Sequence, residues 1–121
     1  MRRAAATIRA MAIEMTKAWR PLTDAEVASL PGQLGVFELA NAEGRVLFVG
    51  FAGGKSAFGL RSEVAKHAAV PTGGATQFRC EVNMQYHTRY RELLMAHQAR
   101  TGAVPPGNRL QHVQLGRLSP G

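Results

Sequence analysis

The 121-residue sequence predicts a small α/β (α+β) domain in which helices flank a three-stranded, mostly antiparallel sheet. The chain has the usual length of one domain, and its 45% apolar content suffices for one core. Three runs rich in β-branched and aromatic residues read as strands, and a short turn joins the first two. Helical stretches follow the second and third runs, which gives the order β, β, α, β, α.

Three segments are expected along the chain, namely residues 1–30, 31–108 and 109–121. The first segment contains apolar side chains at helical spacing over residues 5–19, which predicts an amphipathic helix. A second, short helix begins after Thr23, where "TDAE" matches a capping box. The middle segment is the main domain, and the last segment is an irregular tail.

The clearest local prediction is a β-hairpin. The β-rich runs at 34–40 and 45–52 flank "NAEG", in which Asn41 and Gly44 are typical turn residues. The second run, "VLFVGFA", is apolar at nearly every position. We therefore expect it in the middle of the sheet with both faces covered.

The remaining elements follow from periodicity and helix-ending signals. Residues 58–69 have a helical pattern, and "QFRCEVN" at 77–83 alternates as a strand does. Cys80 falls on the apolar side of that strand, so we interpret it as a small core residue rather than a nucleophile. A longer helix is predicted over 85–100, with Gly102 ending it.

The charge distribution favours a polyanionic partner. The net charge is +7, and the excess lies at the two ends of the sequence: residues 1–20 have five basic groups and one acidic group, and residues 84–121 have the same balance. Nucleic acid is therefore an expected partner, although solvated tails give the same distribution. A single cysteine and the lack of a long apolar run predict a cytoplasmic protein with no membrane segment. The sequence leaves the oligomeric state open.

The order of motifs resembles the GIY-YIG nuclease domain. "GVF" at 35–37 is followed after ten residues by "FVG" at 48–50, and then by a helix with an early arginine, a third strand, and a helix with a glutamate ahead of an asparagine. The resemblance covers about residues 31–108. It implies the fold of that family and metal-assisted phosphodiester hydrolysis with Mg²⁺ or Mn²⁺.

The resemblance also implies the site residues. Phe37 and Phe48 take the places of the two motif tyrosines, and phenylalanine lacks the hydroxyl that a water-activating group needs. Arg61 matches the phosphate-binding arginine, Glu92 the metal carboxylate, and Asn108 the terminal asparagine. The arginine, glutamate and asparagine are thus kept while both tyrosine hydroxyls are lost.

The family often has a histidine or tyrosine one turn after its arginine. Here that position is Ala65, and His67 follows two residues later. Other side chains can replace the missing hydroxyls or contact nucleic acid by stacking and by charge. These candidates are Lys55, His67, Tyr86, His87, Arg89 and Tyr90.

Two functions follow. One is a divergent domain that acts on nucleic acid, with Glu92 as the metal ligand. The other is an inactive relative that binds nucleic acid or a protein through the same cleft. Structural interpretations also stay open, because Glu92 can pair with Arg89 at i,i+3 spacing, and Tyr86 and Tyr90 can pack with their hydroxyls at the rim.

Overall fold

The computed structural model of the protein describes residues 14–109. In chain order its elements are β1 (Arg20–Pro21), α1 (Asp24–Ala28), β2 (Gly35–Ala40), β3 (Val46–Ala52), α2 (Gly59–Ala69), a 3₁₀ turn (Thr72–Gly74), β4 (Gln77–Val82), α3 (Tyr86–Thr101) and a second 3₁₀ turn (Pro106–Asn108). The four strands form one antiparallel sheet in the order β1-β4-β2-β3. The predicted α+β class is confirmed, but the sheet has four strands rather than three.

The additional strand comes from the N-terminal segment. The helix predicted over 5–19 is wrong for residues 14–19, which are not helical, and the rest of it lies outside the described residues. Met15 is buried, and Trp19 lies 4.2 Å from the Arg79 guanidinium in a cation–π contact. An Arg-Pro dipeptide follows, and the residue before a proline favours extended backbone. The segment therefore pairs with β4 and belongs to the domain.

The capping prediction at α1 is confirmed in part. Thr23 is the N-cap residue, and its hydroxyl accepts a hydrogen bond from the Glu26 N–H at 3.3 Å. The Glu26 carboxylate contacts Arg20, with 2.8 Å between Oε1 and Nε. The cap therefore uses one of the two bonds of a capping box, and the glutamate instead ties the helix to β1.

The hairpin is confirmed, but the expected place of its second strand is wrong. The Asn41 side chain closes the turn by accepting from the N–H groups of Glu43 and Arg45. The middle position belongs to β2, which pairs with β3 on one side and with β4 on the other, so β3 lies at the sheet edge. It is apolar because both of its faces are nonetheless covered.

Helices cover both faces of the sheet. Along β2, Phe37 and Leu39 pack toward α1 and α2, whereas Val36 packs toward α3. The first core comprises Val27, Leu30, Phe37, Leu39, Leu47, Phe48, Ala52, Leu60, Val64, Ala75 and Phe78. The second comprises Met15, Val36, Val46, Val49 and Leu93. The two cores fix β3 between α2 and α3.

A buried ion pair lies on the α3 side of the sheet. Glu38 is 5% exposed, and its Oε1 lies 2.8 Å from both Nε and Nη2 of Arg79. Burial raises the pKa of Glu38 above its ordinary value, and Arg79 opposes this shift. The pair links the two central strands.

The glycines of the two triplets have packing roles. A Cβ at Gly50 would lie 2.3 Å from Cζ of Phe37, the residue directly opposite it on β2. A Cβ at Gly35 would lie 2.2 Å from the Glu81 carbonyl oxygen. Real Cβ contacts are much longer, so both positions require glycine whatever chemistry the triplets serve.

The other predicted elements agree with the structure. The strand predicted at 77–83 is β4, and the helix predicted over 58–69 is α2. The helix α3 ends at Gly102, which has φ = 89° as expected for a left-handed cap. Within residues 14–109, every helix is too short or too polar to cross a lipid bilayer.

Candidate functional site

A cavity of about 890 Å³ opens where β3, α2 and α3 meet. One wall comes from the strands at the two motif positions, and the loop at 53–56 closes one end. Its lining residues are Phe37, Phe48, Gly50, Phe51, Gly53, Gly54, Lys55, Ser56, Glu63, Lys66, His67, Tyr86, His87 and Tyr90. Its volume is in the range of small-molecule sites.

Three rings, which we name the inner cluster, form the floor. They belong to Phe37, Phe48 and His67, with centroids 4.9 to 6.0 Å apart. Phe37 and Phe48 are buried. The two motif positions are thus adjacent and lie on the α2 side of the sheet.

Four rings form a second group, the outer cluster. Phe51 stacks on Tyr86 with centroids 5.7 Å apart and 12° between the ring planes. His87 and Tyr90 each lie 5.1 Å from the same Phe51 ring. Phe51 is 36% exposed, so the cluster offers a partly open aromatic surface.

Polar groups line the α2 side. The Ser56 hydroxyl donates to Glu63 Oε2 at 2.7 Å and accepts from the Gly53 N–H at 3.2 Å. Lys66 pairs with Glu63, with 3.2 Å between Nζ and Oε1. Lys55 makes no ion pair within residues 14–109. Two lysines and one carboxylate leave this lining with a net positive charge.

Seven of the predicted site residues line the cavity, and four do not. Those in the cavity are Phe37, Phe48, Lys55, His67, Tyr86, His87 and Tyr90. The others are Arg61, Arg89, Glu92 and Asn108. The arginine, glutamate and asparagine that the resemblance singles out are therefore all outside the lining.

Arg61 and Glu92 make other contacts. Arg61 is exposed, and its Nε donates to the Leu30 carbonyl oxygen at 2.9 Å, which ties α2 to the end of α1. Glu92 Oε1 lies 3.5 Å from Arg89 Nη1 in the i,i+3 pair that the sequence allowed. Arg89 also holds Glu81, with 2.8 Å between Nε and Oε2.

Asn108 is buried, with 1% of its surface exposed. Its Oδ1 accepts from the Val49 N–H and its Nδ2 donates to the Val49 carbonyl oxygen, both at 2.8 Å. A longer contact of 3.5 Å joins Nδ2 to the Tyr90 hydroxyl. Asn108 therefore stabilises the free edge of β3 and lies outside the cavity lining.

The donor groups at the cavity do not fit a magnesium centre. Mg²⁺ takes oxygen ligands, carboxylates above all, in a near-octahedral arrangement. Glu63, the one carboxylate that the described part of the chain places in the lining, already binds Ser56 and Lys66, and Glu92 contacts Arg89 outside the lining. Residues 14–109 contain no group of three or more His, Cys, Asp or Glu side chains placed to hold a metal ion.

Protonation states also bear on the chemistry. Burial lowers the pKa of His67 below its ordinary value of 6.5, so the imidazole is neutral at pH 7, and its Nδ1 lies 2.9 Å from Thr72 Oγ1. Burial raises the pKa of the Tyr90 hydroxyl and of the Cys80 thiol. Neither forms its anion readily, which agrees with the core role predicted for Cys80.

Besides three glycines, sequence reasoning missed four lining residues, namely Phe51, Ser56, Glu63 and Lys66. Phe51 stands three residues after Phe48, so the two side chains leave β3 on opposite faces, but the face that packs against α3 could not be read from one sequence. Glu63 stands one helical turn before His67, and this spacing places the two side chains on one face of α2.

Comparison with known proteins gives one family. A search of curated proteins finds no match. Residues 13–100 match a family described as a domain of unknown function, DUF7508. The match covers most of the chain, includes the N-terminal segment that forms β1, and ends within α3. The chain therefore belongs to the family of the domain of unknown function DUF7508.

Proposed function

We propose that this chain is a GIY-YIG-like domain that binds single-stranded nucleic acid in the cavity without hydrolysing it. The observation that carries the proposal is the outer cluster, whose stacked and partly exposed rings line the same cavity as Lys55 and Lys66. Aromatic side chains stack on bases, and basic groups bind the phosphates between them. Stacking contributes about 1–3 kcal/mol per base.

The relationship to GIY-YIG domains has its own support. The two triplets lie on adjacent strands with Phe37 and Phe48 in contact, as the resemblance implies. A shift of two residues along α2 puts Glu63 at the family arginine's position. His67 then falls one turn later, where that family often has histidine or tyrosine. Both Glu63 and His67 line the cavity, whereas Arg61 does not.

The same alignment argues against hydrolysis. A phosphoryl transition state requires positive charge and a positioned nucleophile. Phenylalanine at both tyrosine positions removes the hydroxyls, and a carboxylate at position 63 puts negative charge where the family has an arginine. The half-buried His67 contacts two phenyl rings, and burial lowers its pKa although the nearby Glu63 carboxylate opposes this shift. Binding without cleavage is the chemistry that these groups support.

The proposal is tested by fluorescence anisotropy with labelled 12-nucleotide DNA and RNA strands. Phe51→Leu and Tyr86→Leu keep apolar volume and remove the stacking surface, so each is expected to weaken binding about tenfold. Phe58→Leu is the matched control, because Phe58 is 63% exposed and outside the cavity. Equal losses in all three variants, or none in the first two, would count against the cavity as the binding site.

Metal-dependent hydrolysis at Glu92 is the competing prediction. What favours it is that the Glu92 side chain is 45% exposed and so accessible to an ion. Single-stranded, duplex and branched DNA and RNA are incubated with the protein and Mg²⁺ or Mn²⁺. Cleavage that Glu92→Ala abolishes would replace binding with catalysis, and no cleavage together with tight binding is the expected result.

A further inference from the structure

A second cavity of about 290 Å³ lies at the opposite end of β3. It is formed by the hairpin turn at Gly44–Val46, the last turn of α3, and the segment 103–109. Among residues 14–109, three arginines line it, namely Arg45, Arg100 and Arg109, and no carboxylate does. No part of the first cavity is shared with it.

Two of these arginines are available to a ligand. Arg100 pairs with Glu14, whereas Arg45 and Arg109 make no ion pair within residues 14–109. Guanidinium groups bind phosphate oxygens in a bidentate manner. The cavity therefore concentrates positive charge with little local compensation.

The end of α3 would normally repel an anion, because the last carbonyl groups of a helix carry partial negative charge. Two carbonyl oxygens near this end, those of His97 and Gln98, are hydrogen-bonded. Gly102 N–H donates to the Gln98 carbonyl and the Thr101 hydroxyl donates to the His97 carbonyl. The buried His97 ring lines the cavity, and its Nδ1 donates to the Ala103 carbonyl at 2.8 Å. A helix C-terminus carries a negative charge of only about half an elementary charge, so the three arginines outweigh it in the cavity.

We infer that this second cavity binds a phosphate group through Arg45 and Arg109, with Arg100 at its side. A phosphate has the charge and the several acceptor oxygens that two guanidinium groups require. The volume is at the lower limit of ligand pockets and suits one phosphate better than a nucleoside. The group can belong to a nucleic-acid strand or to a small phosphorylated molecule.

Two probes separate these sources. Inorganic phosphate is titrated into ¹⁵N-labelled protein while the amide signals of Val46, His97 and Thr101 are followed by NMR. A labelled 12-nucleotide DNA strand is titrated by anisotropy at several salt concentrations. Both titrations are repeated with the double variant Arg45→Gln/Arg109→Gln and with Arg91→Gln, which removes an exposed arginine outside the cavity.

Saturable amide shifts with a Kd of about 1 mM or lower are expected for the wild type. The double variant should lose them, and Arg91→Gln should keep them. If the phosphate belongs to a nucleic-acid strand, the double variant also weakens DNA binding about tenfold. The slope of log K against log salt concentration then becomes shallower by about 0.7. Lost phosphate shifts with unchanged DNA binding identify a small phosphorylated ligand.

Absence of phosphate-induced shifts at these amides in the wild type, or their persistence in the double variant, overturns the inference. The same experiments distinguish failure of the proposed nucleic-acid binding from failure of the phosphate site. A protein that binds phosphate here but no DNA strand refutes the nucleic-acid proposal alone. DNA binding that depends on Phe51 and Tyr86, with no phosphate effect at the second cavity, refutes this inference alone.

Discussion

The Asn108 side chain bonds both backbone groups of Val49, accepting from its N–H and donating to its carbonyl oxygen at 2.8 Å each. The two residues are 59 positions apart. An amide that bonds one residue in this way takes the place of a neighbouring strand. It therefore gives the edge strand β3 a partner at its centre, between the two cavities.

Asn108→Ala should destabilise the protein by about 2–4 kcal/mol. The change removes two buried hydrogen bonds and leaves the Val49 groups unpaired, and each buried unsatisfied group costs about 1–3 kcal/mol. Urea unfolding measures the effect. Asn83→Ala is the control, because that side chain is half-buried and caps a turn by accepting from the Gln85 N–H. If Asn108→Ala lowers the free energy of unfolding no more than Asn83→Ala does, Asn108 does not act as a partner for β3.

Gly50→Ala should cost about 1–3 kcal/mol because the new methyl group would overlap the Phe37 ring. Gly54→Ala is the matched control, since nothing lies within 4 Å of a Cβ there, and its effect should stay within about 0.5 kcal/mol. Phe37→Leu removes the two nearest obstructing atoms, and Cε2 of Phe48 at 2.8 Å remains. The double variant Phe37→Leu/Gly50→Ala should therefore lose less than the sum of the two single losses. Additive losses in thermal unfolding would show that the contact is not the cause.

Glu63→Gln should strengthen binding of single-stranded DNA. Removing the carboxylate eliminates negative charge from the lining and releases Lys66, which we expect to raise affinity about two- to fivefold at low salt. Arg61→Gln should leave affinity unchanged, because Arg61 contacts the Leu30 carbonyl and lies outside the lining. Anisotropy titrations compare the two. A loss of affinity in Arg61→Gln would restore it to the phosphate-binding role that the sequence first assigned to it.

The dependence of stability on pH tests the ion pair between Glu81 and Arg89 when the wild type is compared with Glu81→Gln. Burial alone would raise the pKa of Glu81, but hydrogen bonds from Arg89 and Asn83 lower it below its ordinary value of 4.5. A depressed pKa in the fold means that this stabilisation is fully present above the unfolded value. It is lost as pH falls through the folded value.

The wild type should therefore exceed Glu81→Gln by about 1–2 kcal/mol at pH 7, and the two stability curves should converge as pH falls below 4.5. Unfolding free energies across pH 3–8 measure this. Glu43→Gln is the control, because Glu43 lies in the exposed hairpin turn. A Glu81 difference that stays constant with pH would mean that the carboxylate's charge does not stabilise the fold.

Much of the fold was predictable because its signals are local. Periodicity placed α2, α3 and β4, and turn residues placed the hairpin. The fourth strand was not predictable in this way, since two residues carry no period of their own, and the contacts that hold the segment, including those of Met15 and Trp19, are non-local. The order of strands failed for a similar reason: covered faces made β3 look central, and the Asn108 contact that covers its edge is non-local.

The cavity was only partly predictable. The triplets and the "MQYHTRY" stretch identified two of its walls, because aromatic and titratable residues are conspicuous in a sequence. On α2, Arg61 was expected at the cavity but Glu63 lines it, since both residues are polar and only packing decides which one turns inward. Phe51 was overlooked because a strand's two faces look alike until its neighbours are known.

Both edge strands of the sheet, β1 and β3, are poorly suited to pair with a further strand. At one border β1 is two residues long and ends in Pro21, which has no N–H to donate, and at the other Asn108 occupies the middle of β3. Unpaired borders are where sheets of separate molecules join into larger aggregates. Within residues 14–109, both borders are thereby protected against edge-to-edge association, and neither presents a long row of free backbone groups to an added strand.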